Sequence, residues 1–260
     1  MAGDRIAFVG HSTVLIELDG VRLLTDPLLR TRVAHLRRRV APVDIGALAD
    51  PDAVLVSHLH RDHLDLASLR LLGPATPLLA PAGAGAWLRR RGFAAVSELS
   101  AGQAAAVGAL TVTATPARHD GHRQPGGRRA ETLGYLVRGS RTIYFAGDTA
   151  LFEGMAELAQ IDVALVPVAG WARRLGPGHM DPLDGARAVA LLAPRVAIPI
   201  HWGTLSPLGG ARRHRALLHD PPRLFARHAA RLAPGVEVRI LEPGEETALT
   251  DPSRPSRGRT

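Results

Sequence analysis

An apolar run that ends in four metal-competent side chains within six positions constrains this chain more than any other feature does. Residues 52–57 (DAVLVS) read as a continuous apolar strand, and His58-Leu59-His60-Arg61-Asp62-His63 follows at once. Imidazole nitrogen and carboxylate oxygen suit zinc-class ions at about 2.0 to 2.2 Å, and a tight loop can turn alternate residues toward one centre. For this composition a chance H-x-H-x-D-H match is roughly a one-in-a-thousand event. The chain has no cysteine, so any metal must be held by imidazole and carboxylate.

Three further candidates lie in the same kind of place. His119 follows the strand TVTATPA (111–117), Asp148 follows TIYFAG in a Gly-Asp-Thr turn, and His201 follows VAIPI in His-Trp-Gly-Thr. A lone histidine is more often a surface or core residue, but loops after strands are where ligands gather from distant sequence.

The rest of the chain supplies a frame. RIAFV (5–9), TVLIEL (13–18) and VRLLT (21–25) alternate as short strands, with Asp19-Gly20 as a tight hairpin turn. LDLASLRLL has leucines at helical spacing. Further helices are expected near residues 85–91, 151–159, 183–192 and 223–232, and further strands at LLAP, GYLV, TIYFAG, DVALVPV, VAIPI and VEVRIL. Hairpins dominate the first half and βα units the second, so the expected class is α/β with two mixed sheets covered by helices. Residues 1–250 are expected to form one domain, with 251–260 (DPSRPSRGRT) a disordered tail.

With 260 residues, 46% hydrophobic and 22% charged, the composition is that of a globular protein. There is no basic leader with a long apolar run and no span of about 20 apolar residues, so a cytoplasmic location is expected. The net charge of +8 comes from arginine alone, since lysine is absent. Such charge attracts anionic substrates, lipid headgroups or nucleic acid, or is a basic surface without a partner.

The order H-x-H-x-D-H, His, G-D-T, H-W-G-T resembles the metallo-β-lactamase superfamily. Gly10-His11-Ser12-Thr13-Val14-Leu15-Ile16, Leu24-Thr25-Asp26-Pro27 and His179-Met180-Asp181-Pro182 resemble its branch containing ascorbate-6-phosphate lactonases and N-acyl-phosphatidylethanolamine phospholipase D. The resemblance covers roughly residues 5 to 245. It implies a four-layer αβ/βα sandwich and two divalent ions, zinc foremost, with manganese and iron as alternatives. His58, His60 and His119 would hold one ion, Asp62, His63 and His201 the other, and Asp148 would bridge them. A hydroxide shared by the ions would cleave an ester, lactone or phosphodiester in a small or lipid-like, anionic substrate.

Asp62, His179, His11 and Asp26 are the candidate catalytic residues. Asp26 would orient a ligand imidazole or form a turn before Pro27. His11 and His179 would lie over the metals, touching substrate or protonating the leaving group, or be hydrogen-bonded structural histidines. Asp181 reads as a helix cap. His122 could face the cleft, Trp171 and Trp202 could line it, and Arg30, Arg32, Arg37, Arg38 and Arg39 could clamp an anion. His35, His214, His219 and His228 read as surface. The alternatives are a nuclease with the same core, which lacks an inserted nucleic-acid clamp or an aromatic-interleaved basic platform, and an iron-bearing redox protein, which lacks cysteine and a flavin-binding region.

Overall fold

The Asp19-Gly20 pair sets the first hairpin. Both residues adopt positive φ, 51° and 79°, which matches the twist of the strands they join. The computed structural model describes residues 3–158, 160–170, 175–208 and 215–249. In chain order the first sheet receives β1 (Arg5–Gly10), β2 (Thr13–Leu18) and β3 (Val21–Thr25). After β4 (Arg32–Val33) and β5 (Leu36–Arg38) come β6 (Ala53–Leu55), helix α1 (Leu66–Leu72), β7 (Leu78–Pro81), helix α2 (Gly85–Arg89) and β8 (Val96–Leu99).

The second sheet takes β9 (Ala104–Val107), β10 (Leu110–Pro116), β11 (Leu133–Arg138), β12 (Thr142–Phe145) and β13 (Val163–Pro167). Helix α3 (Pro182–Leu192), β14 (Val196–Ile200), β15 (Leu205–Pro207), helix α4 (Arg215–Leu232), β16 (Glu237–Val238) and β17 (Glu246–Ala248) complete the described elements. The strand orders are β17-β1-β2-β3-β6-β7-β8 and β16-β14-β13-β12-β11-β10-β9. Pairing is antiparallel among β1, β2 and β3 and parallel from β3 to β8. It is likewise antiparallel from β9 to β12 and parallel from β12 to β14 and β16.

Alternation along the strands builds the layers. Ile6, Phe8, Val14, Ile16, Leu18, Leu23 and Leu55 point into the inter-sheet core with Tyr135, Val137, Ile143 and Phe145. The intervening Val9, Leu15, Leu24, Val54 and Val56 point the other way, against Leu69 of α1 and Trp87 and Leu88 of α2. Each fully buried large side chain contributes about 1.5 to 3 kcal/mol. Helices α3 and α4 cover the second sheet through Val189, Leu192, Phe225 and Ala229. The result is the expected α/β sandwich of four layers.

Local expectations are corrected in four places. The segment near Leu151 is a single 3₁₀ turn over Glu153–Glu157, pinned by buried Phe152 and Met155, rather than an α-helix. The last basic helix starts at Arg215 and runs through Pro221 and Pro222, because a proline φ is helical and the packing of Phe225 and Ala229 outweighs the lost N–H bonds. VEVRIL pairs only at Glu237 and Val238, and the last strand among the described residues is instead β17, against β1. The arginine-rich connection folds into a small sheet, β15-β5-β4. The tail 251–260, Trp171 and His214 lie outside the described residues. Among the described residues no helix is long and apolar enough to cross a membrane.

Asp65 fastens the chain next to the histidine motif. It caps α1 by accepting from the Ser68 amide at 3.0 Å and pairs with Arg30 Nε and Nη2 at 2.7 and 2.8 Å. Burial opposes its charge, yet Arg30 and Ser68 hold its pKa below the usual carboxylate value. A depressed folded pKa stabilises above the unfolded value and loses that contribution as pH falls through the folded one. Asp65→Ala is therefore expected to cost about 2 kcal/mol at pH 7, read by urea melts, with the difference from wild type shrinking as the pH drops below about 4.

Candidate metal centre

Every sequence-predicted ligand, and with them the catalytic candidates His11 and Asp26, emerges from a strand end on one side of the sandwich. His11 follows β1, Asp26 follows β3, the histidine motif follows β6, His119 follows β10, Asp148 follows β12 and His201 follows β14. His11, Asp26 and His201 take positive φ of 58°, 34° and 63°, a left-handed turn that ends each strand and costs about 1 to 3 kcal/mol per residue. The amide of His201 donates to the carbonyl of His11 at 2.7 Å, joining the two sheets at this end.

The side chains form two adjoining groups. In one, His60 Nδ1 lies 2.9 Å from His58 Nε2 and 3.0 Å from His119 Nε2. In the other, His63 Nε2 lies 3.2 Å from His201 Nε2, and Asp148 Oδ2 lies 3.2 Å from both. Asp62 Oδ2 approaches from the same side, 4.0 Å from His63 Nε2. Clusters of His58 with His60 and His119, and of His11 with Asp62, His63 and His201, have ligand atoms within 4.8 Å of one another.

The remaining ring nitrogens decide which atoms face inward. His63 Nδ1 is 2.8 Å from Asp26 Oδ2, His201 Nδ1 donates to the Ala169 carbonyl at 2.7 Å, and His119 Nδ1 donates to the Gly178 carbonyl at 2.8 Å. Ser57 donates its hydroxyl to Asp26 Oδ2 at 2.5 Å and accepts from His58 Nδ1 at 2.9 Å. With those Nδ1 protons committed outward, the Nε2 atoms of His58, His63, His119 and His201 turn toward one another and toward Asp148. Nitrogens and a carboxylate this close need positive charge among them, a metal ion or the proton that Asp148 and Asp26 hold on His63. Asp148 Oδ1 is likewise buried with no partner, so the donor set fits divalent ions.

Electrostatics agree. Burial pulls His119 down to about 4 and His58 well below its ordinary value, so both are neutral ligands at pH 7. Burial also opposes charge on His63, but Asp148 and then Asp26 hold its pKa well above the usual range. Asp148 is held well below the usual carboxylate range by His201 and His63 against its burial. The carboxylates thus draw positive charge to the point where the ring nitrogens meet.

His179 sits at the rim, with its side chain 25% exposed, Nδ1 donating to the Gly176 carbonyl at 3.0 Å and Nε2 3.5 Å from Asp148 Oδ2. His11 is only 2% exposed, hydrogen-bonded to Asp62 at 3.1 Å and packed on the His201 ring at 4.0 Å. It stands within the wall, behind Asp62. Asp181 caps α3 through the amides of Leu183 and Asp184 at 2.9 Å. Trp202 stacks on Phe8 inside the core and does not line the cleft.

A cleft of about 480 Å³ opens over His60, Asp62, Asp148 and His179. His122, hydrogen-bonded to Asp120 at 2.7 Å, and His35, taken from sequence as plain surface, both line it. The five-arginine cluster does not. Arg30 holds Asp65, Arg38 holds main-chain carbonyls, Arg39 holds Ser206, and Arg61 and Arg123 are the arginines of the cleft. Sequence reasoning also passed over Ser57 and Gly178. A Cβ on Gly178 (φ +85°) would come within 2.9 Å of His119 Nδ1, so only glycine lets this loop cross the ring.

The family described as Beta-lactamase superfamily domain matches residues 21–202. A metal-dependent hydrolase of Methanopyrus kandleri is 34% identical over 93% of this chain and 98% of its own. N-acyl-phosphatidylethanolamine-hydrolyzing phospholipase D 1 of Caenorhabditis elegans is 31% identical over 78% of this chain and 64% of its own length. The structure of Igni18, a metallo hydrolase from Ignicoccus hospitalis, superposes with a TM-score of 0.75 at 24% identity, covering 96% of this chain and all of that one.

Ser57→Ala breaks the link between Asp26 and His58 while leaving all imidazoles in place. It is expected to weaken metal affinity about 10- to 100-fold, measured by competition with a chromophoric chelator, with an unchanged circular dichroism spectrum.

Proposed function

The chain belongs to the β-lactamase superfamily as a metal-dependent hydrolase, and from that premise we propose that it uses two divalent ions, zinc foremost, to cleave an ester, lactone or phosphodiester bond. His58, His60 and His119 would hold one ion and Asp62, His63 and His201 the other, with Asp148 available to either. The observation that carries this reading is Asp148. Its Oδ2 is 3.2 Å from the Nε2 atoms of both His63 and His201, and its Oδ1 is buried without a partner. Bound ions would lower the pKa of a shared water and polarise the oxygen of the scissile group.

The protein's own groups supply the rest. Asp26, Ser57 and the carbonyls of Ala169 and Gly178 fix the imidazoles so that little reorganisation accompanies reaction. His11 restrains Asp62 from the second side. His179, with Nδ1 committed to Gly176, turns Nε2 toward the cleft and is placed to pass a proton to the departing oxygen. The cleft of about 480 Å³ is of the size that encloses a small molecule, and the likeness to a phospholipase supports a lipid-like substrate.

The protein is expected to carry two equivalents of zinc or manganese by elemental mass spectrometry. It is expected to turn over a lactone or a bis-aryl phosphodiester in a manner abolished by chelation and restored by metal. Metal-free protein that cannot be reloaded would refute the assignment. His60→Ala and Asp148→Ala are each expected to lower kcat by about 10³-fold or more while leaving a folded protein; full activity in either would refute the dinuclear centre.

A further inference from the structure

Two arginines line the metal cleft, and they differ in what their guanidinium groups already hold. Arg123 Nη1 donates to the carbonyls of Leu59 and Leu64 at 2.9 and 3.0 Å, and its guanidinium lies over the Trp87 ring, 4.8 Å from the centroid. It is fixed in place as a brace for the histidine motif. Arg61, between His60 and Asp62, is exposed. Its Nη2 donates to Gln124 Oε1 at 2.8 Å, a neutral acceptor. Among the described residues no carboxylate pairs with Arg61, and its Nε and Nη1 meet no protein acceptor.

The acids of the same cleft are engaged elsewhere. Asp62 holds His11, Asp120 holds His122, and Asp148 lies among the imidazoles of the metal centre. Burial, and after it the nearby charge of Arg61, push the Arg123 pKa down to about 10, so the two guanidinium groups stand close enough to repel. An anion on Arg61 would relieve that repulsion, and an exposed side chain gives up little hydration to take it. Position narrows the ligand further. Arg61 is flanked in sequence by the metal-ligand candidates His60 and Asp62, so a charge seated on it lies a side chain's length from the metal centre. Val33, Ala34 and Leu36 of the β4–β5 hairpin add an apolar wall. One free guanidinium balances one negative charge, and its planar fork matches a carboxylate. Resting on the hydrolase reading above, we propose that Arg61 determines specificity, by binding a carboxylate that the substrate carries away from its scissile bond.

The test is calorimetric titration of the metal-loaded protein with 4-hydroxybenzoate and with its neutral counterpart 4-hydroxybenzamide, neither of which has a bond to hydrolyse by this chemistry. 4-Hydroxybenzoate is expected to bind at least tenfold more tightly, with the margin narrowing as salt is raised. Arg61→Gln is expected to bring the two ligands within twofold of each other at wild-type metal content, and Arg61→Lys to restore part of the preference. Gln124→Glu places a competing carboxylate on Arg61 without touching the histidine motif. It is expected to remove the preference as well, which keeps the test decisive if Arg61→Gln disturbs metal loading. Equal affinity for the two ligands in the wild type, or no binding of either, overturns the proposal. A preference that survives both Arg61→Gln and Gln124→Glu puts the carboxylate on the metal centre and overturns it too. The hydrolase reading stands or falls separately, on metal content and chelator-sensitive turnover.

Discussion

Where His63, His201 and Asp148 meet, two ring nitrogens and a carboxylate oxygen face one another at 3.2 Å. Much of this end of the molecule serves to keep them there. Outward protons go to Asp26 and to the carbonyls of Ala169 and Gly178, and left-handed residues end the strands so that the rings converge. Each of these arrangements would be unfavourable by itself. Together they describe a pocket of acceptors whose natural complement is positive charge.

The two sheets repeat a pairing order that leaves no visible trace in sequence. β1, β2, β3, β6 and β7 pair as two antiparallel then two parallel contacts, and β10, β11, β12, β13 and β14 do the same. Corresponding strand ends carry matching residue types. His11 after β1 answers His119 after β10, and Asp26 after β3 answers Asp148 after β12. His119 and Asp148 contact the clustered imidazoles, while His11 hydrogen-bonds Asp62 and Asp26 hydrogen-bonds His63.

The ligand candidates and most of the sandwich were legible because they depend on contiguous patterns. The motif at His58 to His63 is local, and strands such as TVTATPA and VAIPI announce the polar residues that end them. What escaped is non-local or carried by the backbone. The β15-β5-β4 sheet pairs Leu205 with Arg38 through strands of two or three residues, too short for any periodicity. The Gly178 and Ala169 carbonyls act through atoms every residue has. The arginine cluster misled because its members reach carbonyls, a serine and Asp65 rather than one another's neighbourhood around a ligand.

The candidate ligand groups are divided between the sheets in a way that bears on folding. His58 and His60 leave the first sheet while His119 leaves the second, and Asp62 and His63 leave the first while His201 leaves the second. Ions bound there would act as cross-links, closing long loops of chain and tying the two halves of the sandwich at one end only. The apparent stability of the protein would then rise with free metal in solution. The open end of the sandwich would be the first part to loosen when metal is scarce.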